Sequence, residues 1–203
     1  MMDLPVLSDA PLSHPNCCLT LSTRLLQTLR DLFHDSSSGG GGERPESLVL
    51  SVGCGSGLLE SLLHSYLTQE EAQEEPVVAM TTTMRVEGVE VASATSSYLP
   101  EDRANTVAGT WALCRRAEDA AALMFVYPRS VDLVMCYVDA YFGSDNARTI
   151  VWLGPQADWE VFRPALEGQH GSSKAQLTIR EGTDCGIGNY EMMAVLQAPE
   201  RDI

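Results

Sequence analysis

The sequence predicts a single α/β domain: a mostly parallel sheet with helices on both faces and an antiparallel β-hairpin at the C-terminal end. Three observations predict it. Short apolar runs rich in Val, Ile and Leu alternate with stretches of helical periodicity. The first run that reads as a buried strand ends in a glycine cluster leading straight into a helix. The last two runs are separated by a glycine-containing stretch with no helical pattern. At 203 residues and 44% hydrophobic content, the chain has the length of one ordinary domain with a sizeable core.

Residues 1–18 precede the domain, and the first helix follows them. Leu21, Leu25, Leu26, Leu29, Leu32 and Phe33 recur at helical spacing with Arg24, Gln27 and Arg30 between them. Residues 36–46, opening with Ser-Ser-Ser-Gly-Gly-Gly-Gly, bring backbone entropy and almost no apolar surface, so they read as a flexible linker inside a domain spanning 19–203. Leu48-Val49-Leu50-Ser51-Val52 reads as a strand buried on both faces. Leu58, Leu59, Leu62, Leu63, Tyr66 and Leu67 then mark one face of a helix, and the acidic stretch 69–75 closes it at the surface.

Further strands are expected at 86–92, 106–109, 131–138 and 149–153, and further helices at 117–125 and 159–166. The closing hairpin pairs 176–179 with 190–196.

Charge bounds the partners. Thirteen basic against 28 acidic residues leave a net charge of −15, a field that repels phosphate backbones and anionic membranes. Direct nucleic-acid binding and membrane binding are therefore not expected, whereas a basic protein partner is compatible. No secretory leader pattern stands at residues 1–15 and no run of about 18 apolar residues occurs, so a cytoplasmic or nuclear location is expected. The six cysteines lack CxxC spacing and read as reduced thiols. The four histidines lack ligand spacing, and no metal site is expected.

The glycine cluster carries the chemistry. A phosphate-binding P-loop needs Gly-Lys-Ser/Thr, but Gly57 is followed by Leu58 and Leu59. The dinucleotide fingerprint GxGxxG fails at Leu58, which disfavours a dehydrogenase. What stands is GxGxG, Gly53-Cys54-Gly55-Ser56-Gly57, between a strand and a helix.

With its flanks, Ser-Val-Gly-Cys-Gly-Ser-Gly-Leu-Leu-Glu, this segment resembles motif I of the class I S-adenosylmethionine-dependent methyltransferases, and Gly88-Val89-Glu90 is similar to their second motif. Through element order the resemblance extends over residues 19–196. It implies a Rossmann-like fold and S-adenosylmethionine as cofactor, its amino-acid part packing beside the loop of Gly53, Cys54, Gly55, Ser56 and Gly57. It also implies that the Glu90 carboxylate accepts hydrogen bonds from the ribose hydroxyls.

After the third strand, Thr110 stands where the family often has an acidic residue near the adenine, and Trp111 is a candidate for stacking on the base or for the core. Residues 131–137 resemble the family's fourth strand, which by position makes Cys136 a cofactor contact and Tyr137 and Asp139 the catalytic candidates, with Tyr141 also facing substrate. Ser51 stands where many members carry an acidic residue that orients the cofactor's amino group, and residues 1–18 stand where relatives commonly place a lid over the pocket, so this segment is a candidate lid, the alternative being a disordered or merely packed tail.

The resemblance implies methyl transfer to a small molecule or a protein side chain. Methyl transfer requires alignment and exclusion of water more than any universal catalytic residue. The Asn/Asp-Pro-Pro-Tyr/Phe segment of amide-nitrogen and adenine methyltransferases is missing at 136–139. The departures at Ser51 and Thr110 leave an alternative open: an inactive, methyltransferase-like subunit that binds a basic partner.

Overall fold

A computed structural model describes residues 2–37, 46–71, 83–91, 96–143, 147–168 and 175–199. The N-terminal segment forms a small antiparallel hairpin, β1 (Leu12–His14) and β2 (Cys17–Leu21), which runs into helix α1 (Thr23–Ser37). Then come β3 (Glu46–Val52), α2 (Leu58–Glu71), β4 (Thr83–Val91), β5 (Ala104–Val107), β6 (Ala120–Val126) and α3 (Val131–Tyr141). The chain ends with β7 (Thr149–Pro155), α4 (Trp159–Glu167), β8 (Gln176–Glu181) and β9 (Glu191–Gln197). Ser36 and Ser37 of the expected linker close α1, and its residues 38–45 lie outside the described residues. The acidic stretch carries α2 to Glu71, and its remainder likewise lies outside them.

Among the described residues seven strands form one sheet in the order β5-β4-β3-β6-β7-β9-β8. All contacts from β5 through β7 are parallel, and β9 alone runs against both its neighbours. The mostly parallel Rossmann-like sheet and its C-terminal antiparallel hairpin are therefore as expected.

Period-two alternation sorts the sheet's side chains between two cores. Val49, Ala122, Met124, Val151, Leu153, Met193 and Val195 face α1 and α2. Leu50, Val52, Leu123, Phe125, Ile150, Trp152 and Ala194 face α3 and α4. Burial on both faces explains why these strands read as unbroken apolar runs.

Two expectations exchange places. Residues 117–125, expected as a helix, form β6 after a short 3-10 turn, Arg115–Glu118; residues 131–138, expected as a strand, belong to α3. Ala120 to Met124 are good helix formers, but the seven consecutive, almost wholly buried residues Ala120–Val126 fit a central strand. The second segment is rich in β-branched valines, yet Val134, Tyr137 and Val138 are buried at helical spacing. Ser130 caps α3 by accepting a hydrogen bond from Leu133 N at 3.3 Å. Composition pointed one way and periodicity the other, and periodicity matched the burial available on each side of the sheet.

Between β4 and β5, and again between β5 and β6, the described residues contain only 3-10 turns where a crossover helix would usually lie. An ion cluster around a buried carboxylate holds this corner. The Glu87 carboxylate, 3% exposed, accepts from Arg85 at 2.8 Å, from Asn105 at 2.9 Å, and from both Nε and Nη2 of Arg116 at 3.0 and 2.7 Å. These bonds outweigh the burial that opposes ionisation and hold the carboxyl down at about 2.

Because Glu87's acidity in the fold is raised above that of the unfolded chain, its contribution is complete above about pH 4.5 and is lost as pH falls toward 2. Glu87→Gln is expected to cost about 2 kcal/mol at pH 7, a figure discounted for the partial exposure of both guanidiniums. Urea unfolding of both proteins across pH 2–7 checks this, and the two should converge at the acid end.

Candidate functional site

Strand order reverses beside β3, whose neighbours β4 and β6 are reached by connections running in opposite directions. At such a switch point the loops leaving the strands' carboxyl ends diverge and open a crevice. The loop after β3 is the glycine cluster. Gly53, Gly55 and Gly57 all adopt left-handed conformations, with φ of 79°, 54° and 77°, so the backbone turns under the crevice in a way L-residues resist. Gly53 N and Cys54 N donate to Val89 O of β4, and Ser56 Oγ accepts from Leu58 N at the start of α2.

Over this loop sits the turn of the N-terminal hairpin. Ser56 Oγ donates to Asn16 O at 2.6 Å, and Asn16 Nδ2 donates to the Tyr98 hydroxyl at 2.8 Å. Between turn and loop lies a cavity of about 260 Å³ whose walls include Cys17, Cys18, Gly53, Gly55, Glu60 and Val126.

Two carboxylates flank this loop. Glu90, at the carboxyl end of β4, accepts from Gly55 N and from its neighbour Val91 N, both at 2.9 Å, and each oxygen keeps a free lone pair. Glu60, from the first turn of α2, is 1% exposed. One of its oxygens accepts from Ser51 Oγ at 2.6 Å; the other is buried without a hydrogen-bond partner among the described residues. Burial, opposed by the Ser51 bond, pushes the Glu60 carboxyl up to about 7. Burial likewise pushes the thiols of Cys17 and Cys54 up to about 12, which keeps both protonated and poor nucleophiles.

Sequence reasoning overlooked Glu60 because an acidic residue in the first turn of a helix is ordinarily a solvated partner of the helix dipole. The available signal was Ser51, a hydroxyl inside an apolar strand that needs a buried partner.

The other candidate residues are dispersed. Thr110 and Trp111 follow β5 at the same edge of the sheet, both exposed, Trp111 by 79%. Cys136, Tyr137 and Asp139 do not stand at a strand end. They belong to α3, where Cys136 and Asp139 are exposed and Tyr137 is fully buried in the core against Phe125, its hydroxyl accepting from Cys114 N at 2.9 Å. Tyr141, also on α3, packs beside Tyr137 with the ring planes tilted by 49°. The strand that does neighbour β3 is β6, and the residues leaving its carboxyl end are Tyr127, Pro128 and Arg129.

Tyr127 is the one described non-glycine residue with positive φ, 49°. Its hydroxyl donates to Glu191 Oε1 at 2.7 Å, and Glu191 also accepts from Thr20 N and Gly188 N, so this carboxylate binds β2, β9 and the end of β6 together. A second cavity of about 430 Å³ opens here, lined by Cys18, Tyr127, Arg129, Trp152, Asp158 and Phe162 among others. Cys18 borders both cavities. Among the described residues no group of three or more His, Cys, Asp or Glu is placed to hold a metal ion, and no helix is long and apolar enough to cross a membrane.

No protein-family model matches the sequence, and no curated protein matches it. Solved structures do. The chain is similar to a human methyltransferase 10 domain containing protein, with TM-score 0.53 and 12% identity over 88% of this chain and 84% of that one. A Listeria monocytogenes protein assigned to the class I S-adenosylmethionine-dependent methyltransferases gives TM-score 0.51 and 11% identity over 87% of this chain and 61% of that one. The S-adenosylmethionine-dependent methyltransferase SibL, in its apo form, gives 0.50 and 12% over 87% and 55%, so the chain spans less than two thirds of the latter two. At these identities the likeness is one of fold, a Rossmann-like α/β sheet that these methyltransferases share.

Proposed function

We propose that this chain, built on the class I methyltransferase fold, binds S-adenosylmethionine beside Gly53, Cys54, Gly55, Ser56 and Gly57 and transfers its methyl group to a small molecule or a protein side chain. The observation that carries this reading is the cavity at the switch point, walled by a left-handed glycine loop and flanked by carboxylates on two sides. The residues fit the cofactor. Glu90 keeps lone pairs for two ribose hydroxyls, Glu60 has an unpartnered oxygen, and these two carboxylates flanking the loop suit a ligand carrying a sulfonium and an ammonium. Thr110 and Trp111, exposed after β5, are the side chains proposed to meet the base end of such a ligand.

When bound, the cofactor supplies an electrophilic methyl group. The chain's own residues have the remaining task of alignment and water exclusion. The hairpin turn at Pro15 and Asn16 covers the cavity from above and is fastened to the loop through Ser56. The second cavity, at the carboxyl ends of β6 and β7 and sharing Cys18 with the first, is the proposed entry for the methyl acceptor. Tyr127, Arg129 and Asp158 are the polar side chains that would meet that acceptor, replacing the expected roles of Tyr137 and Asp139. The segment after β6, Val126-Tyr127-Pro128-Arg129, also lacks the Asn/Asp-Pro-Pro-Tyr/Phe pattern.

Calorimetric titration with S-adenosylmethionine and S-adenosylhomocysteine tests the reading. Micromolar binding, about −8 kcal/mol, is expected, with loss of at least tenfold in Glu90→Ala. Absence of heat at millimolar ligand overturns it.

A further inference from the structure

Among the described residues that line the first cavity, Glu60 is the one with a buried polar atom lacking a hydrogen-bond partner. Such atoms are rare in folded proteins, because a buried carboxylate oxygen without a donor forfeits its hydration and recovers nothing. The arrangement around it is specific. Ser51 Oγ, fully buried on β3, spends its only proton on the other oxygen of the same carboxylate and so holds the group in place.

Among the described residues, the remaining neighbours do not supply positive charge. The titratable groups that act on Glu60 are Glu90, across the glycine loop, and the protonated thiols of Cys17 on β2 and Cys54 in the loop. A neutral donor such as water would complete the hydrogen bonding and leave the buried charge uncompensated, whereas a cationic donor satisfies both.

We propose that Glu60 is the anionic anchor for the α-ammonium group of bound S-adenosylmethionine, presented from α2 and positioned by Ser51. This rests on the cofactor reading above and deepens it. It also accounts for the serine at position 51. The carboxylate that the resemblance expects on the strand comes from the facing helix, and the strand residue shrinks to a hydroxyl that orients it. Glu60 is thus a binding residue selective for the amino-acid end of the ligand, distinct from Glu90, whose free lone pairs suit the ribose.

Three ligands separate the possibilities: S-adenosylmethionine carries ammonium and sulfonium, S-adenosylhomocysteine only the ammonium, and 5′-methylthioadenosine neither. Titration of wild type and Glu60→Gln at pH 8 is expected to show roughly 30-fold or greater weakening for the first two ligands. Affinity for 5′-methylthioadenosine should change by less than about twofold, within ordinary error for a contact not made. Weakening confined to S-adenosylmethionine overturns the assignment in favour of a sulfonium contact, and equal weakening of all three, or none, overturns it as a specific anchor. Wild type that binds none of the three overturns the cofactor reading itself and this inference with it, whereas binding of all three with Glu60 indifferent leaves that reading standing.

Discussion

Glu60→Gln is expected to stabilise the ligand-free protein by about 3 kcal/mol at pH 8 and to leave its stability unchanged at pH 4. Burial raises this carboxyl from 4.5 to about 7, so between those values the native state binds a proton that the unfolded chain has released. Stability therefore falls as pH rises through this window, the reverse of the usual paired carboxylate such as Glu87. Below about pH 4.5 both states are protonated and glutamine is merely an isostere of the neutral acid. Above pH 7 the wild type carries a buried charge that the variant lacks.

Chemical denaturation at the two pH values measures the difference, and a variant less stable than wild type at pH 8 would show that the carboxylate is satisfied in the fold. Saturating S-adenosylmethionine should shrink or reverse the gap, because ligand that binds the native wild type more tightly stabilises it more. A residue that weakens the empty fold and strengthens the loaded one marks a binding site, where local stability is commonly given up for function.

Gly186→Ala is expected to destabilise the protein by about 4 kcal/mol, combining left-handed backbone strain with overpacking. Gly186 has φ of 77° in the turn between β8 and β9. A Cβ there would lie 2.4 Å from Leu25 N, 2.7 Å from Ser22 Oγ and 2.8 Å from Arg24 C. Two of those three atoms are backbone of the segment that starts α1, so no rotamer change relieves the contact.

Ser22 makes this joint. Its hydroxyl donates to Gly186 O at 2.6 Å and accepts from Leu25 N at 3.0 Å, capping α1 while fastening it to the far hairpin. Thermal unfolding of the variant should show a lowered midpoint. Because α1 continues from β2, whose first residues line the proposed cofactor cavity, ligand affinity should fall as well. A variant with wild-type stability would mean that the turn relaxes away from α1 at little cost.

The sequence by itself determined the architecture and the place of the loop. Parallel strands buried on both faces need unbroken apolar runs, and a tight turn from strand into helix needs glycines, so both leave marks readable within a few residues. Gly53 to Gly57 and the acidic end of β4 were legible for that reason. The exchange of helix and strand at 117–138 was not, since Ala, Leu and Met favour helix locally while a slot in the middle of the sheet favours a strand; only tertiary burial decides between them. That exchange put Cys136, Tyr137 and Asp139 on α3, away from the strand ends, and brought Tyr127, Pro128 and Arg129 to the second cavity.

Glu60 shows the same limit most clearly. Nothing within a few residues of it distinguishes it from a surface acid, and its partner Ser51 is nine positions away on another element. Whether a carboxylate is solvated or buried depends on which surfaces the sheet and helix close between them, a property of the folded arrangement that no local pattern carries.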